Sequence, residues 1–196
     1  MEHRNETLKG VILPFPTLET NKVVEWLPPR EVPSWDDYYM GLVFFVCCRS
    51  KVPSTQVGAI IVNSGNRPLG MGYNGAPSEI PDDKINWARP HKYVYVEHAE
   101  PNAIRHAATG LGSLKGTTLY CTNMPCNDCM RKIVIEKVSR VVYGNQSAKM
   151  MPQDVIDTTR EMAELGGVQL EPYRGKLDWV KQRALWLETN FPEYFS

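Results

Sequence analysis

The sequence predicts an α/β protein with three layers, α/β/α, built on a five-stranded mixed sheet. Three observations predict it. Short apolar runs recur at 56–62, 69–73, 117–122, 140–143 and 168–170, and each is short enough for a strand. Segments with helical spacing separate the later runs, so those strands need crossovers and tend to lie parallel. No helical segment separates the first two runs, so they can pair as a hairpin.

The elements come in order. Residues 1–33 read as an arm, because Pro14, Pro16, Pro28, Pro29 and Pro33 break any long helix. Val11, Ile12, Leu13 and Phe15 suggest that it packs on something. Ser34 is a candidate N-cap, with Asp36 and Asp37 in the first turn and apolar residues at helical spacing from Trp35 to about Arg49. These two carboxylates read as helix-start charges. QVGAIIV at 56–62 is a buried strand. Pro68 and Asn74-Gly75 punctuate the second strand. Residues 76–95 form a polar loop with Pro77, Pro81 and Pro90. His98–Ala108 is a helix, 117–122 a strand, Cys126–Lys137 a helix, and 140–143 a strand. Pro152–Leu165 is a helix stopped by Gly166, and 168–170 the fifth strand. The expected domain is 34–172. Residues 173–196 add a terminal helix with Leu177, Val180, Ala184 and Leu187 on one face and Trp179 and Trp186 on another, expected to pack on the domain or in an oligomer interface.

Composition narrows the function. Of 196 residues, 42% are hydrophobic and 22% charged, which excludes a disordered or low-complexity chain. Lys plus Arg and Asp plus Glu are both 22, so the net charge is zero and no long nucleic acid is expected as partner. No run approaches the roughly 18 apolar residues of a membrane span, and the polar start lacks a signal-peptide core, so the cytoplasm is expected. There the five cysteines are metal ligands or core residues before they are disulfides. Cys47, Cys48 and Cys121 read as core, and His106 as a packed helix residue.

Two motifs carry chemistry: His98-Ala99-Glu100, and Pro125-Cys126-Asn127-Asp128-Cys129. Cysteines at i and i+3 share a helix face, so both sulfurs can reach one metal. A helix N-terminus favours the thiolate that a metal requires, and Pro125 suits a helix start. One CxxC supplies two ligands, and His98 is the natural third. On a regular helix His98 and Glu100 would point about 200° apart. They converge only if His98 sits where the backbone is not yet helical. Pro101, tolerated only in a first turn, requires the helix to begin there. One His and two Cys leave a zinc ion an open fourth position, and zinc lowers the pKa of a water held there to about 7. A non-ligand Glu beside that water can move its proton. A structural zinc, or a redox CxxC with His98 in the core, is the competing reading. The pair of motifs at this separation favours the pattern of zinc nucleobase deaminases.

From Trp35 to about Val168 the chain resembles the cytidine deaminase superfamily, and within it the deoxycytidylate (dCMP) deaminases. Trp35–Met40, Arg49-Ser50-Lys51, Gln56-Val57-Gly58-Ala59, Gly72-Tyr73-Asn74-Gly75-Ala76-Pro77, His98-Ala99-Glu100, Pro125–Cys129 and Val141–Tyr143 carry the likeness. The resemblance implies a cytidine-deaminase-like fold, one Zn2+ per chain on His98, Cys126 and Cys129, and Glu100 as proton shuttle. It implies hydrolysis of dCMP to dUMP and ammonia, feeding thymidylate synthesis. The alternatives are the same chemistry on dCTP, a modified dCMP or a cytosine nucleoside, or a non-catalytic nucleotide-binding zinc protein. The backbone at Ala99 would bind the base, and Asn74 the deoxyribose; from the residues alone Asn74-Gly75 is equally an ordinary turn. Gln56 and Gly75 join these as substrate contacts. The Lys51–Gln56 segment either helps hold the monophosphate or is a solvated connection.

Many relatives are hexamers controlled by dCTP and dTTP, so a homo-oligomer, a hexamer first, and those effectors are implied as partners. There are departures from the family pattern. Pro101 stands in place of an aliphatic residue, and Val52 in place of Asp. Residues 144–151 lack the usual tyrosine-containing stretch on the phosphate side. The 76–95 loop has His91 but no cysteine, so a second, structural zinc is not expected.

Overall fold

The computed structural model describes residues 31–109, 113–144 and 151–195, and the unit from Pro33 onward carries every element named below. The expected arm at 1–33 lies almost wholly outside the described residues.

Helix α1 (Trp35–Val46) starts on Ser34, whose hydroxyl accepts from the Asp37 backbone N–H at 3.1 Å. It passes into a 3-10 turn at Cys47–Arg49. Strand β1 (Gly58–Val62) is buried throughout and pairs antiparallel with β2 (Pro68–Tyr73) as the expected hairpin. Then come α2 (Ala99–Ala108), β3 (Thr118–Cys121), α3 (Asn127–Ile135), β4 (Arg140–Tyr143), α4 (Gln153–Leu165), β5 (Gln169–Pro172) and α5 (Asp178–Asn190).

The sheet order is β2-β1-β3-β4-β5. β3 is antiparallel to β1, while β3, β4 and β5 are mutually parallel. Four strands therefore run one way and β1 alone runs the other. The physical reason is the α2 crossover, which carries the chain from β2 past the slot already filled by β1.

Alternation along the strands divides the core. Ala59, Ile61, Leu119, Cys121 and Val141 face α2, α3 and α4, whose Ala103, Ile104, Met130, Ile133, Ile156 and Ala163 are buried with them. Ile60, Val62, Tyr120 and Val142 face α1 through Tyr39, Met40 and Val43. This is the three-layer α/β/α arrangement with a five-stranded mixed sheet.

Two glycines set the height of α2 over the sheet. A Cβ on Gly70 would come within 2.6 Å of Ala107 N and Ala103 O. One on Gly72 would enter the backbone of Ala99 and Ala103. The Ala99, Ala103, Ala107 face of α2 thus lies directly on the β2 backbone, which fixes where α2 begins.

Several local expectations change. Residues 76–95 contain two 3-10 turns, Asp82–Lys84 and His91–Val94, and bury Ile85 and Lys92. Cys48 is exposed and Cys47 half-buried, because the helix they close ends at the surface; Cys121 is buried. His106 is exposed, its Nδ1 2.6 Å from Met71 O. Asp36 and Asp37 do more than face a helix dipole: Asp36 binds Arg140 and Tyr120, and Asp37 accepts from Tyr173 OH at 2.5 Å.

α5 docks by its first turn. Trp179 Nε1 donates to Asp37 O at 3.2 Å, and its ring stacks on Tyr38 at 5.8 Å. No residue of α5 is buried. Among the described residues no helix is long and apolar enough to cross a membrane.

Candidate active site

Two helix starts meet at one point. His98 is the N-cap of α2 with extended backbone (φ −75°, ψ 162°), and Cys126 is the N-cap of α3 (φ −77°, ψ 171°). Pro125 therefore precedes the helix rather than opening it. Pro101 is the third residue of α2, where its missing N–H costs nothing. Because His98 is extended, its ring leaves the helix path and reaches the cysteines while Glu100 points into the interior.

His98 Nδ1 lies 3.2 Å from Cys129 Sγ and 3.6 Å from Cys126 Sγ, and the sulfurs are 3.6 Å apart. The three are the one such ligand group among the described residues. A tetrahedral zinc with Zn–S about 2.3 Å and Zn–N about 2.0 Å sets S···S at ~3.8 Å and N···S at ~3.5 Å, so the set fits. Its electrostatics fit as well. The Cys126 thiol falls to about 4, mainly because Cys129 hydrogen-bonds it and because His98 does too, against the opposing effect of burial. His98 rises to about 9, chiefly through its bond to Cys126. Cys129 is driven far up by the same Cys126 bond and by burial. The two helix N-termini favour the thiolate that a metal requires, and His98 gives up its proton when a metal is bound.

Glu100 is 3% exposed. Burial raises its pKa above the usual carboxylate range, with the positive charge of His98 and a backbone N–H opposing. It lines a cavity of about 270 Å3 together with His98, Cys126, Ala99 and Asn74. A larger cleft of about 470 Å3 shares the His98 and Tyr93 walls but not Glu100.

Other expected contacts fall differently. Asn74 lines the cavity, but its Oδ1 accepts from Ser50 Oγ at 2.7 Å and from Val57 N at 2.8 Å, and its Nδ2 donates to Thr55 O at 2.9 Å. One Nδ2 proton remains for a ligand. Gln56 is turned back to the Val52 carbonyl and is not on the cavity wall. Gly75 pairs with Glu97 (3.1 and 2.9 Å) and lines the larger cleft instead. Lys51 is exposed and paired with Asp82. Of residues 144–151, 145–150 lie outside the described residues, and Met151 lines the cavity.

Thr55, in the Lys51–Gln56 segment, is on the cavity wall; sequence reasoning missed Asn123, Arg89 and Lys92, which are there too. Asn123 Oδ1 is buried with no hydrogen-bond partner among the described residues. Its place two residues before Pro125 was the available signal. Arg89 and Lys92 sit in a proline-punctuated loop whose path no periodicity gives.

A trio able to hold a metal, two of whose members line the cavity, thus stands beside a buried carboxylate on a three-layer fold. Residues 33–145 match the family described as the cytidine and deoxycytidylate deaminase zinc-binding region. The chain belongs to that family of zinc-dependent hydrolytic deaminases. It is 37% identical over 175 residues to a probable deoxycytidylate deaminase of Drosophila melanogaster, covering 84% of this chain and 82% of that one. It is 36% identical over 145 residues to the deoxycytidylate deaminase of Homo sapiens, covering 71% and 79%. Among solved structures, the dCMP deaminase of cyanophage S-TIM5 in complex with dCMP and dUMP aligns with a TM-score of 0.56 at 29% identity, over 74% of this chain and all of that one.

Proposed function

We propose that this protein hydrolyses dCMP to dUMP and ammonia, with His98, Cys126 and Cys129 as zinc ligands and Glu100 as proton shuttle. One observation carries the reading: a carboxylate 3% exposed shares a small cavity with His98 and Cys126 of the ligand trio. A structural zinc needs no such group, and the burial of a carboxylate without a function is costly.

Zinc on these three ligands supplies Lewis acidity that makes a water nucleophilic at neutral pH. Glu100 takes the proton that this water loses as it adds to C4 of cytosine. It passes that proton to N3, and then carries the water's second proton to the departing amino group, which leaves as ammonia. A carboxyl with a raised pKa holds the proton between the two transfers. The Ala99 backbone and the free Nδ2 proton of Asn74 orient the base and sugar. Asn123 Oδ1, orphaned and buried, accepts from the exocyclic amino group of the substrate.

The catalytic unit is 34–172, with 1–33 and 173–196 as appendages that add interface. A homo-oligomer, hexameric first, with dCTP and dTTP as effectors and a cytoplasmic location complete the proposal. Sedimentation of the zinc-loaded protein with and without each nucleotide tests the assembly.

Equal deoxycytidine, dCMP, dCTP and a short cytosine oligonucleotide, incubated with zinc-loaded protein and analysed by mass spectrometry, test the reaction. dUMP as the dominant product supports it. Turnover of another of the four keeps the chemistry and moves the substrate. No turnover at all defeats the enzymatic reading.

A further inference from the structure

Helix α1 runs into a 3-10 turn that opens with two adjacent thiols, Cys47 and Cys48, which no step of the chemistry above uses. Both are free; Cys48 is exposed and Cys47 half-buried. Neighbours in a helical chain ordinarily do not face each other. Here both sulfurs converge on one oxygen: Cys47 Sγ lies 3.1 Å from Phe44 O, and Cys48 Sγ lies 3.4 Å from it. Burial, and then the Cys48 thiol beside it, push the Cys47 thiol up.

The pair is joined to the wall of the cavity that Glu100 lines. A Cβ on Gly58 would come within 2.9 Å of Cys47 N and 3.3 Å of its Cβ, so β1 begins against this turn. Cys47 O accepts from Ser50 N at 3.0 Å, and Ser50 Oγ donates to Asn74 Oδ1 at 2.7 Å. Asn74 lines the cavity.

A half-buried thiol with a raised pKa holds little thiolate at neutral pH and reacts slowly with a reagent that takes one sulfur. A centre that takes two sulfurs gains from the second bond, which closes within the molecule; such closure adds about 10²–10⁴-fold to affinity. We propose that Cys47 and Cys48 form a dithiol site for trivalent arsenic, delivered as an organoarsenic oxide. Each sulfur forms one bond to arsenic. The arsenic–oxygen double bond breaks, and the two thiol protons leave with that oxygen as water. No electrons are transferred, and arsenic stays trivalent. Ring closure removes both thiol hydrogen bonds from Phe44 O and displaces the turn that carries the Ser50–Asn74 bond, so turnover falls.

The probe is phenylarsine oxide, added to full-length, zinc-loaded wild type, Cys47→Ser and Cys48→Ser. Zinc occupies the other dithiol, Cys126 and Cys129, on the reading above. Native mass spectrometry is expected to find one phenylarsenic group per wild-type chain with zinc retained, and peptide mapping to place it on residues 47–48. Affinity falls about 10²–10⁴-fold in either serine variant, because one sulfur closes no ring. A dithiol reverses the adduct and restores wild-type turnover, while a monothiol at the same concentration does not. Undiminished affinity in Cys48→Ser, or zinc lost in step with arsenic gained, overturns the site. If Cys47→Ser does not fold, Cys48→Ser, at an exposed position, decides alone. An adduct on 47–48 that leaves turnover unchanged overturns the link to Asn74. The mass measurements need no turnover, so failure of the deoxycytidylate reading and failure of the site remain distinguishable.

Discussion

The guanidinium of Arg140, on β4, grips the carboxylate of Asp36, in the first turn of α1, through two bonds of 2.8 Å. The same guanidinium binds Glu171 on β5, and Tyr120 on β3 donates to Asp36 at 2.7 Å. One cluster therefore ties α1 to three strands. The Arg140 hydrogen bonds hold the Asp36 pKa below its usual value, burial opposing and Tyr120 assisting. A depressed carboxylate pKa contributes stability above the unfolded value, about 3.9, and loses it as pH falls through the folded one. Asp36→Asn is expected to cost about 1–2 kcal/mol, a figure kept low for a side chain 38% exposed. Urea melts of both proteins check this: the gap is full at pH 6 and narrows below about pH 4.

Gly72→Ala places a methyl group in the α2 backbone at Ala99 and Ala103. Overpacking of this kind costs about 1–3 kcal/mol, and here it also shifts the helix that presents His98 and Glu100. Melting temperature and bound zinc are both expected to drop. Gly65→Ala, whose Cβ meets only Asn63 Oδ1 at 3.4 Å, leaves both near wild type.

Glu100→Gln keeps the shape and removes the proposed proton carrier. The expected loss in kcat is about 10²–10⁴-fold, with zinc content unchanged by elemental analysis. A variant that keeps its kcat would remove Glu100 from the mechanism.

Cys126→Ala leaves two of the three proposed ligands. Zinc bound per chain is expected to fall from one towards zero after dialysis. In the wild type a chelator lowers the melting temperature, because the metal binds only the folded state; in Cys126→Ala that sensitivity disappears.

Asn123→Leu separates stability from activity. Removing a buried oxygen that has no partner leaves stability equal or raised by ~1 kcal/mol. KM for dCMP is expected to rise about tenfold, since the substrate loses an acceptor. Thermal melts beside Michaelis curves show whether the two move apart.

Local chemistry made most of this legible in the sequence. Strand runs, the Ser34 cap and the Gly166 stop mark elements within a few residues, because each depends on near neighbours. The divergence of His98 and Glu100 on a regular helix required an extended His98, and φ −75°, ψ 162° meets that requirement. Features set by distant packing were not legible. Nothing in a single segment says that β3 settles beside β1, that Asp36 meets Arg140 across the fold, or that Lys92 is buried in a loop of polar composition. Gln56 shows the same limit: its sequence neighbours carry the family likeness, while its side chain spends its amide on the Val52 carbonyl.

The His98–Cys126–Cys129 trio and Glu100 stand on two helix starts, the first of them seated on a glycine-bearing strand, whereas Arg89 and Lys92 come from the irregular stretch between Asn74 and Glu97. The cavity wall is thus drawn from separable parts of the chain. Exchanging that stretch would reshape one wall of the cavity while the two helix starts stay as they are, which makes the loop the natural place to begin engineering.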